Sequence, residues 1–249
     1  MIDRSILRLR LARRDSPVLA FPVRTIVGRN RRRKQQENQS SAHSPIVGAV
    51  RSRCKFSRAM MPGMRQVRGV LFVDYVRMLR SQKSVDWARL LAPQDLTYLQ
   101  MLIDPDGWYP MATFERMGNA ILTTVTRGEL FPVQLWGRYS AAQLKNANPL
   151  LLEPNNPPET LSRFRVLRET FFNFNALEVL LLHDDEAHIV VRYHMGMPAE
   201  EAASYQAMGF FEGLLEIAGA TDLHAEIQSR SWAGDARTLL VFRWKPPRP

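Results

Sequence analysis

The stretch Leu177-Glu178-Val179-Leu180-Leu181-Leu182, the turn Asp184-Asp185-Glu186 and the run Ala187-His188-Ile189-Val190-Val191-Arg192-Tyr193-His194-Met195 decide the fold class. Their apolar residues recur every second position, the period of a strand, and the acidic turn between them makes a hairpin. The next segment, Ala199 to Ala218, returns to helical spacing. Two further alternating runs, Asp222–Ser231 and Arg237–Trp244, are joined by Trp232-Ala233-Gly234-Asp235. The order β-β-α-β-β gives one small antiparallel sheet interrupted by one helix. Leu223, Ala225 and Ile227 share a face, as do Leu240, Phe242 and Trp244. One side of the sheet is therefore core, and the other is covered only in part.

Upstream of Asn175 the pattern is helical. Val67, Val70, Leu71, Val73, Val76, Met78 and Leu79 form the first apolar stripe. Ser84 caps a short helix holding Trp87, Leu90 and Leu91. Pro93 opens a helix over Gln94–Ile103 that presents Leu96, Leu99 and Leu102. Further helices are predicted from Met111 to Val125, over Phe131–Ala142 and over Thr160–Phe171. Helices grouped before a small antiparallel sheet define an α+β domain over residues 65–249. A chain of that length buries roughly 70% of its unfolded surface without disulfides or metals.

Charge separates this domain from what precedes it. The whole chain carries a formal +10, but residues 1–64 hold 15 Lys and Arg against 3 Asp and Glu, whereas residues 65–249 hold 19 against 21. The basicity belongs to the leader alone, and the domain shows no nucleic-acid signature. The leader combines Arg31-Arg32-Arg33-Lys34 with a polar run from Gln35 to Ser41, a composition expected to be disordered. Three readings stand for it. Met60, Met61 or Met64 is the true start and the leader is not native; or it is a basic arm for nucleic acid or an anionic membrane; or it is a transit peptide. Removing residues 1–63 is expected to leave melting temperature and helix content unchanged. A fall of several degrees would show that the leader packs, since a 1 kcal/mol change moves a domain of this size by about 2–4 °C.

Chemistry-bearing motifs are sparse. The single cysteine, Cys54, excludes an internal disulfide framework and a multi-thiolate zinc site. There is no phosphate-binding glycine loop and no nucleophile elbow. Asp104, Asp106 and Glu115 imitate a calcium loop, but Trp108 and Tyr109 stand where a ligand and a glycine are required. His183, His188, His194 and His224 fall on strands or turns without ligand spacing, so no metal is expected. Glu212 on the apolar last helix either reaches solvent, pairs with an arginine or borders a pocket. Gly209 and Gly213 on the same helix need a reason, because an interior glycine costs about 1 kcal/mol. Close approach to the sheet is the simplest one, and approach to another helix is the alternative.

The segment from Tyr205 to Gly219, with its Gly209, Glu212 and Gly213, followed by two strands around Gly234-Asp235, resembles the C-terminal half of an uncharacterised bacterial paralogous family. More distantly it is similar to the haem nitric oxide/oxygen-binding domain and the 4-vinyl-reductase-type domain. Arg68-Gly69-Val70-Leu71-Phe72, Tyr109-Pro110 and Gly137-Arg138-Tyr139 sit where the haem family has similar pieces. The resemblance spans about 67–244 and implies a sensory or regulatory ligand-binding role. That family's helical proximal histidine has no counterpart between His43 and His183. Its Tyr-x-Ser-x-Arg falls on Tyr193-His194-Met195-Gly196-Met197, where only the tyrosine remains. No cofactor is therefore expected, haem included.

These readings converge on a cytoplasmic, non-enzymatic domain that binds a small apolar ligand between its helices and its sheet. Trp136, Tyr139, Phe171, Tyr193, Phe210 and Phe211 are the candidates to line the pocket. The alternative is a protein-interaction module with a filled core. No membrane span is present, and a nucleic-acid partner is expected only if residues 1–64 are native.

Overall fold

The computed structural model describes residues 63–246. The readings made for the leader, including Cys54, lie outside the described residues. The helices come first, followed by a four-stranded sheet, as the change of periodicity requires.

Strand β1 (Gln66–Arg68) pairs antiparallel with β2 (Trp108–Pro110), Val67 opposite Tyr109. Helix α1 (Gly69–Ser81) therefore starts two residues after the expected stripe does. Gly69 sets that start. A side chain there would sit 2.0 Å from the Asp104 carbonyl oxygen, and its own N–H donates to the Gly107 carbonyl at 2.8 Å. The buried face of α1 is Phe72, Tyr75, Val76 and Leu79, while Val70 is exposed. Phe72 stacks on Tyr109 with ring centroids 4.5 Å apart, fixing α1 on β2.

Helix α2 (Pro93–Gln100) ends before Leu102, which stands 90% exposed rather than inward. Its fully buried residue is Asp95. That carboxylate accepts from the Ala92 N–H at the helix start, from Thr113, and twice from the Arg116 guanidinium. Thr113 and Arg116 lie on α3 (Met111–Thr124), which buries Phe114, Met117, Ile121 and Leu122 as expected. Helix α4 (Phe131–Ala147) runs five residues past its expected end. Helix α5 (Pro157–Leu167) starts at a proline behind the Asn156 cap and stops before Phe171.

The sheet holds β3 (Leu177–Leu182), β4 (Glu186–Val191), β5 (Thr221–Ser229) and β6 (Thr238–Lys245) in the order β3-β4-β6-β5, all antiparallel. Helix α6 (Ala199–Ile217) connects β4 to β5. Ala187, Ile189, Val191, Leu240, Phe242 and Trp244 join the main core with α6, and Val190, Leu239 and Val241 form a small cluster on the other face.

The glycines of α6 answer to a helix, not to the sheet. A β-carbon on Gly209 would lie 1.9 Å from the Gln134 carbonyl oxygen of α4, and one on Gly213 would lie 2.9 Å from the Arg138 carbonyl oxygen. Gly137 of α4 reciprocates, 2.0 Å from the Gln206 carbonyl oxygen of α6. The two backbones touch, so the expected approach to the sheet is replaced by approach to α4. Glu212 spans the same contact, accepting from Gln134 at 2.8 Å and Arg138 at 3.3 Å. Its role is the arginine pairing.

Candidate functional site

Strand β4 ends at Val191, four residues before its expected end, and the reason is local. The Arg192 N–H still reaches the Ala176 carbonyl in the register of the β3–β4 pair, and His194 then takes a left-handed φ of 52°, which breaks the strand. The chain then runs irregularly to Pro198 and enters α6. Arg65 clamps this segment by donating to the carbonyls of Tyr193 and His194. On the facing side, β5 and β6 are joined by a short 3-10 turn, Ser231–Ala233, closed by Gly234 at φ 101°. Asp235 accepts from the Arg230 N–H and holds the turn in shape.

These two segments form the walls of a cleft of about 280 Å³, lined among others by Arg192, His194, Met195, Met197, Trp232 and Arg237. Glu200, in the first turn of α6, is its floor. One of its oxygens accepts from the Met195 N–H at 2.7 Å, on one wall. The other accepts from the Ser231 hydroxyl at 3.3 Å, on the opposite wall. Ser231 is fixed in turn by the Thr238 hydroxyl at 2.7 Å. Anything that alters Glu200 therefore acts on both walls at once.

Burial pushes the Glu200 carboxyl above the ordinary carboxylate range, against the pull of its two hydrogen bonds and of the His194 and Arg65 charges. An acid raised on folding binds protons more tightly in the native state. Its contribution to stability is then greatest at low pH and falls as pH rises from the unfolded value through the folded one. Glu200→Gln is expected to abolish that component. The difference in melting temperature between wild type and variant, followed across the carboxylate range, should shift in favour of the variant as pH rises. A pH-independent difference would show that Glu200 titrates normally.

The six residues expected to line an apolar pocket are not brought together around one cavity. Phe211 is fully buried, its ring 5.1 Å from Phe164 and 5.9 Å from Phe242. Phe210 lies 5.4 Å from Phe164, and Tyr193 5.7 Å from Phe172. Phe171 is buried beyond α5, and Tyr139 is exposed on α4. These aromatics fill the space between helices and sheet instead of lining it. Trp136 borders a void, beside Tyr75 at 4.8 Å, and that void measures about 20 Å³, the room of a single water. Burial also raises the hydroxyl pKa of Tyr193, with the nearby Glu200 adding to it, and keeps the phenol protonated.

The residues of the cleft were not legible as a site. Glu200 and Glu201 at a helix start read as ordinary complements of the helix dipole. Trp232 reads as part of the turn between the last two strands, and Arg237 as the first residue of the last strand. Among the described residues no group of three or more His, Cys, Asp or Glu side chains is placed to hold a metal, and His188 pairs with Glu186 at 2.8 Å. No described helix is long and apolar enough to cross a membrane.

The described residues thus form an α+β unit of helices followed by a β-β-α-β-β sheet. No family model and no curated protein matches the chain. Among solved structures it is similar to an H-NOX protein from S. oneidensis in the Fe(II)NO ligation state. The two share 12% identity at a TM-score of 0.51, over 72% of this chain and 99% of that one. It is also similar to an H-NOX structure determined to probe haem distortion in that family, at 13% identity and a TM-score of 0.51, over 73% and 97%. The likeness establishes the fold. The resemblance to a bacterial paralogous family gains no match.

The neighbours correct one expectation. The sequence predicts no cofactor, haem included, yet the solved structures that share this fold are haem proteins, which makes haem the candidate cofactor. The described histidines, His183, His188, His194 and His224, all lie on the strands or the segments joining them, and α5 and α6 carry none. Phe164, Phe210, Phe211 and Phe242 occupy the space between those helices and the sheet. As placed, the side chains do not fit a macrocycle in that layer. His194 borders the outer cleft instead.

Proposed function

We propose that the protein is a non-enzymatic sensory or regulatory domain that binds a small molecule in the cleft between residues 192–198 and 230–237. The observation that carries this reading is the cleft itself: about 280 Å³, with a tryptophan, two methionines and two arginines at its walls and one buried carboxylate tying those walls together. Ligand sites are concave, mix apolar lining with a few placed polar groups, and start near this size. The H-NOX fold supports a sensory role by analogy. The Ser231 hydroxyl meets Thr238 and Glu200 rather than a histidine, which favours binding over nucleophilic chemistry.

The test is a thermal-shift screen of small molecules against the full chain and against Trp232→Ala. A ligand of the cleft raises the melting temperature of the wild type by mass action and loses that effect in the variant. A screen whose stabilisers act equally on both proteins contradicts the assignment.

Two observations favour other readings. The filled core and the exposed Phe131, Leu135 and Tyr139, four residues apart on α4, favour a protein-interaction module. The haem-bearing neighbours favour a haem sensor by analogy of fold. Titration with haem separates that reading, because a saturable Soret band at one haem per chain marks it.

A further inference from the structure

The charges around the cleft are unbalanced. Arg192, Arg237 and His194 line it against one acid, Glu200. Glu200 is 4% exposed and already accepts from Met195 and Ser231, so it offers little to a cation. Outside the cleft, Glu178 is paired with Arg192 and lies within the field of Arg237 and of Arg168, which also meets Glu169 at 3.8 Å. The Arg237 guanidinium is exposed and makes no hydrogen bond or ion pair among the described residues. A concave surface with surplus positive charge concentrates anions, and a planar guanidinium fits a carboxylate with two parallel hydrogen bonds. The rest of the lining is apolar and adaptable: Trp232, Met195, Met197, Val191 and Ala236.

We propose that the cleft takes a small organic anion, its carboxylate held by Arg237 with Arg192 beside it, and its apolar body lying on Trp232, Met195 and Met197. This rests on the ligand-binding reading above and names the chemistry of its ligand. The anion reaches both walls that Glu200 joins, so occupancy draws the 192–198 segment and the 230–237 turn together at the entrance to α6.

The test is calorimetric titration of the full chain with four probes: benzoate, its neutral analogue benzyl alcohol, the cation benzylamine, and inorganic phosphate. Benzoate is expected to saturate at one per chain. Benzyl alcohol is expected to bind about tenfold or more weakly, the worth of a hydrogen bond to a charged group. Benzylamine and phosphate should bind more weakly than benzoate as well. Arg237→Ala should weaken benzoate by about tenfold and leave benzyl alcohol unchanged, with Arg237→Lys between the two. Arg237 is exposed, so these variants keep the fold. Benzyl alcohol or benzylamine binding as tightly as benzoate, with loss in Trp232→Ala, overturns the anion and leaves the cleft as a site for another ligand. Phosphate binding as tightly as benzoate overturns the organic part. Failure of all four at millimolar concentration overturns both this proposal and the assignment of the cleft.

Discussion

Gly209→Ala is expected to destabilise the protein by about 3 kcal/mol, and Gly137→Ala by about as much, the upper end of what inserted methyl groups cost in a packed interface. Each added β-carbon would lie within 2.0 Å of a carbonyl oxygen on the partner helix. Backbone atoms cannot swing aside as a side chain can, so α4 and α6 must separate along their whole contact. Helix propensity works the other way, since alanine gains about 1 kcal/mol over glycine inside a helix. The expected net sign is therefore a decision between the two effects, and at 1.9–2.0 Å the clash dominates. Gly213→Ala is the internal control. Its nearest backbone contact is 2.9 Å, so a small shift of the helices accommodates it and its loss should be the least of the three. Equilibrium urea unfolding reads the order directly, and the melting temperature should fall by roughly 6–12 °C for the severe variants. A stabilised Gly209→Ala protein would mean that the helices stand further apart than the structure has them.

Asp95→Ala is expected to cost about 3 kcal/mol, the low end for breaking a buried ion pair. The carboxylate is fully buried and accepts from four donor groups on two helices, so its removal leaves Thr113 and the Ala92 N–H unsatisfied together with Arg116. The Arg116 side chain is 36% exposed and can turn to water, which is why the low end applies. Burial alone would raise the Asp95 carboxyl. The hydrogen bonds from Arg116 and Thr113, the Arg116 charge and the Ala92 N–H outweigh burial and hold it below the ordinary carboxylate range. An acid lowered on folding stabilises the native state above its unfolded pKa, and that stabilisation is lost as pH falls through the folded value. The gap in stability between wild type and Asp95→Ala should be constant near neutral pH and close in acid. A gap that persists at the acid end would assign the loss to packing alone.

Much of the architecture was legible because it depends on periodicity. The change from helical to alternate spacing near Asn175 placed the four main strands and the helix between them. Element ends were less legible, because tertiary contacts set them. Gly69 starts α1 two residues late because Asp104 and Tyr109 crowd it. Leu102 is exposed because α2 stops at Gln100. Strand β4 is cut short because the backbone turns left-handed at His194. The lining of a pocket is illegible for a related reason. Aromatics at core spacing look the same in sequence whether they line a void or fill it, and here Phe164, Phe211 and Phe242 fill it. The cleft residues come from a loop, a turn and the first residues of a helix, which no spacing rule brings together. The β4–β6 register, with Val191 opposite Thr238, sets Arg192 and Arg237 side by side at the end of the sheet.

Hydrogen–deuterium exchange of the full chain, with and without the tightest binder from the thermal screen, tests the cleft most directly. The expected result is protection of amides in residues 192–200 and 230–238, with the rest of the domain unchanged. Protection centred on α1, α3 and α4 around Tyr75 and Trp136, with the cleft amides unaffected, would contradict it and move the site to the helical layer.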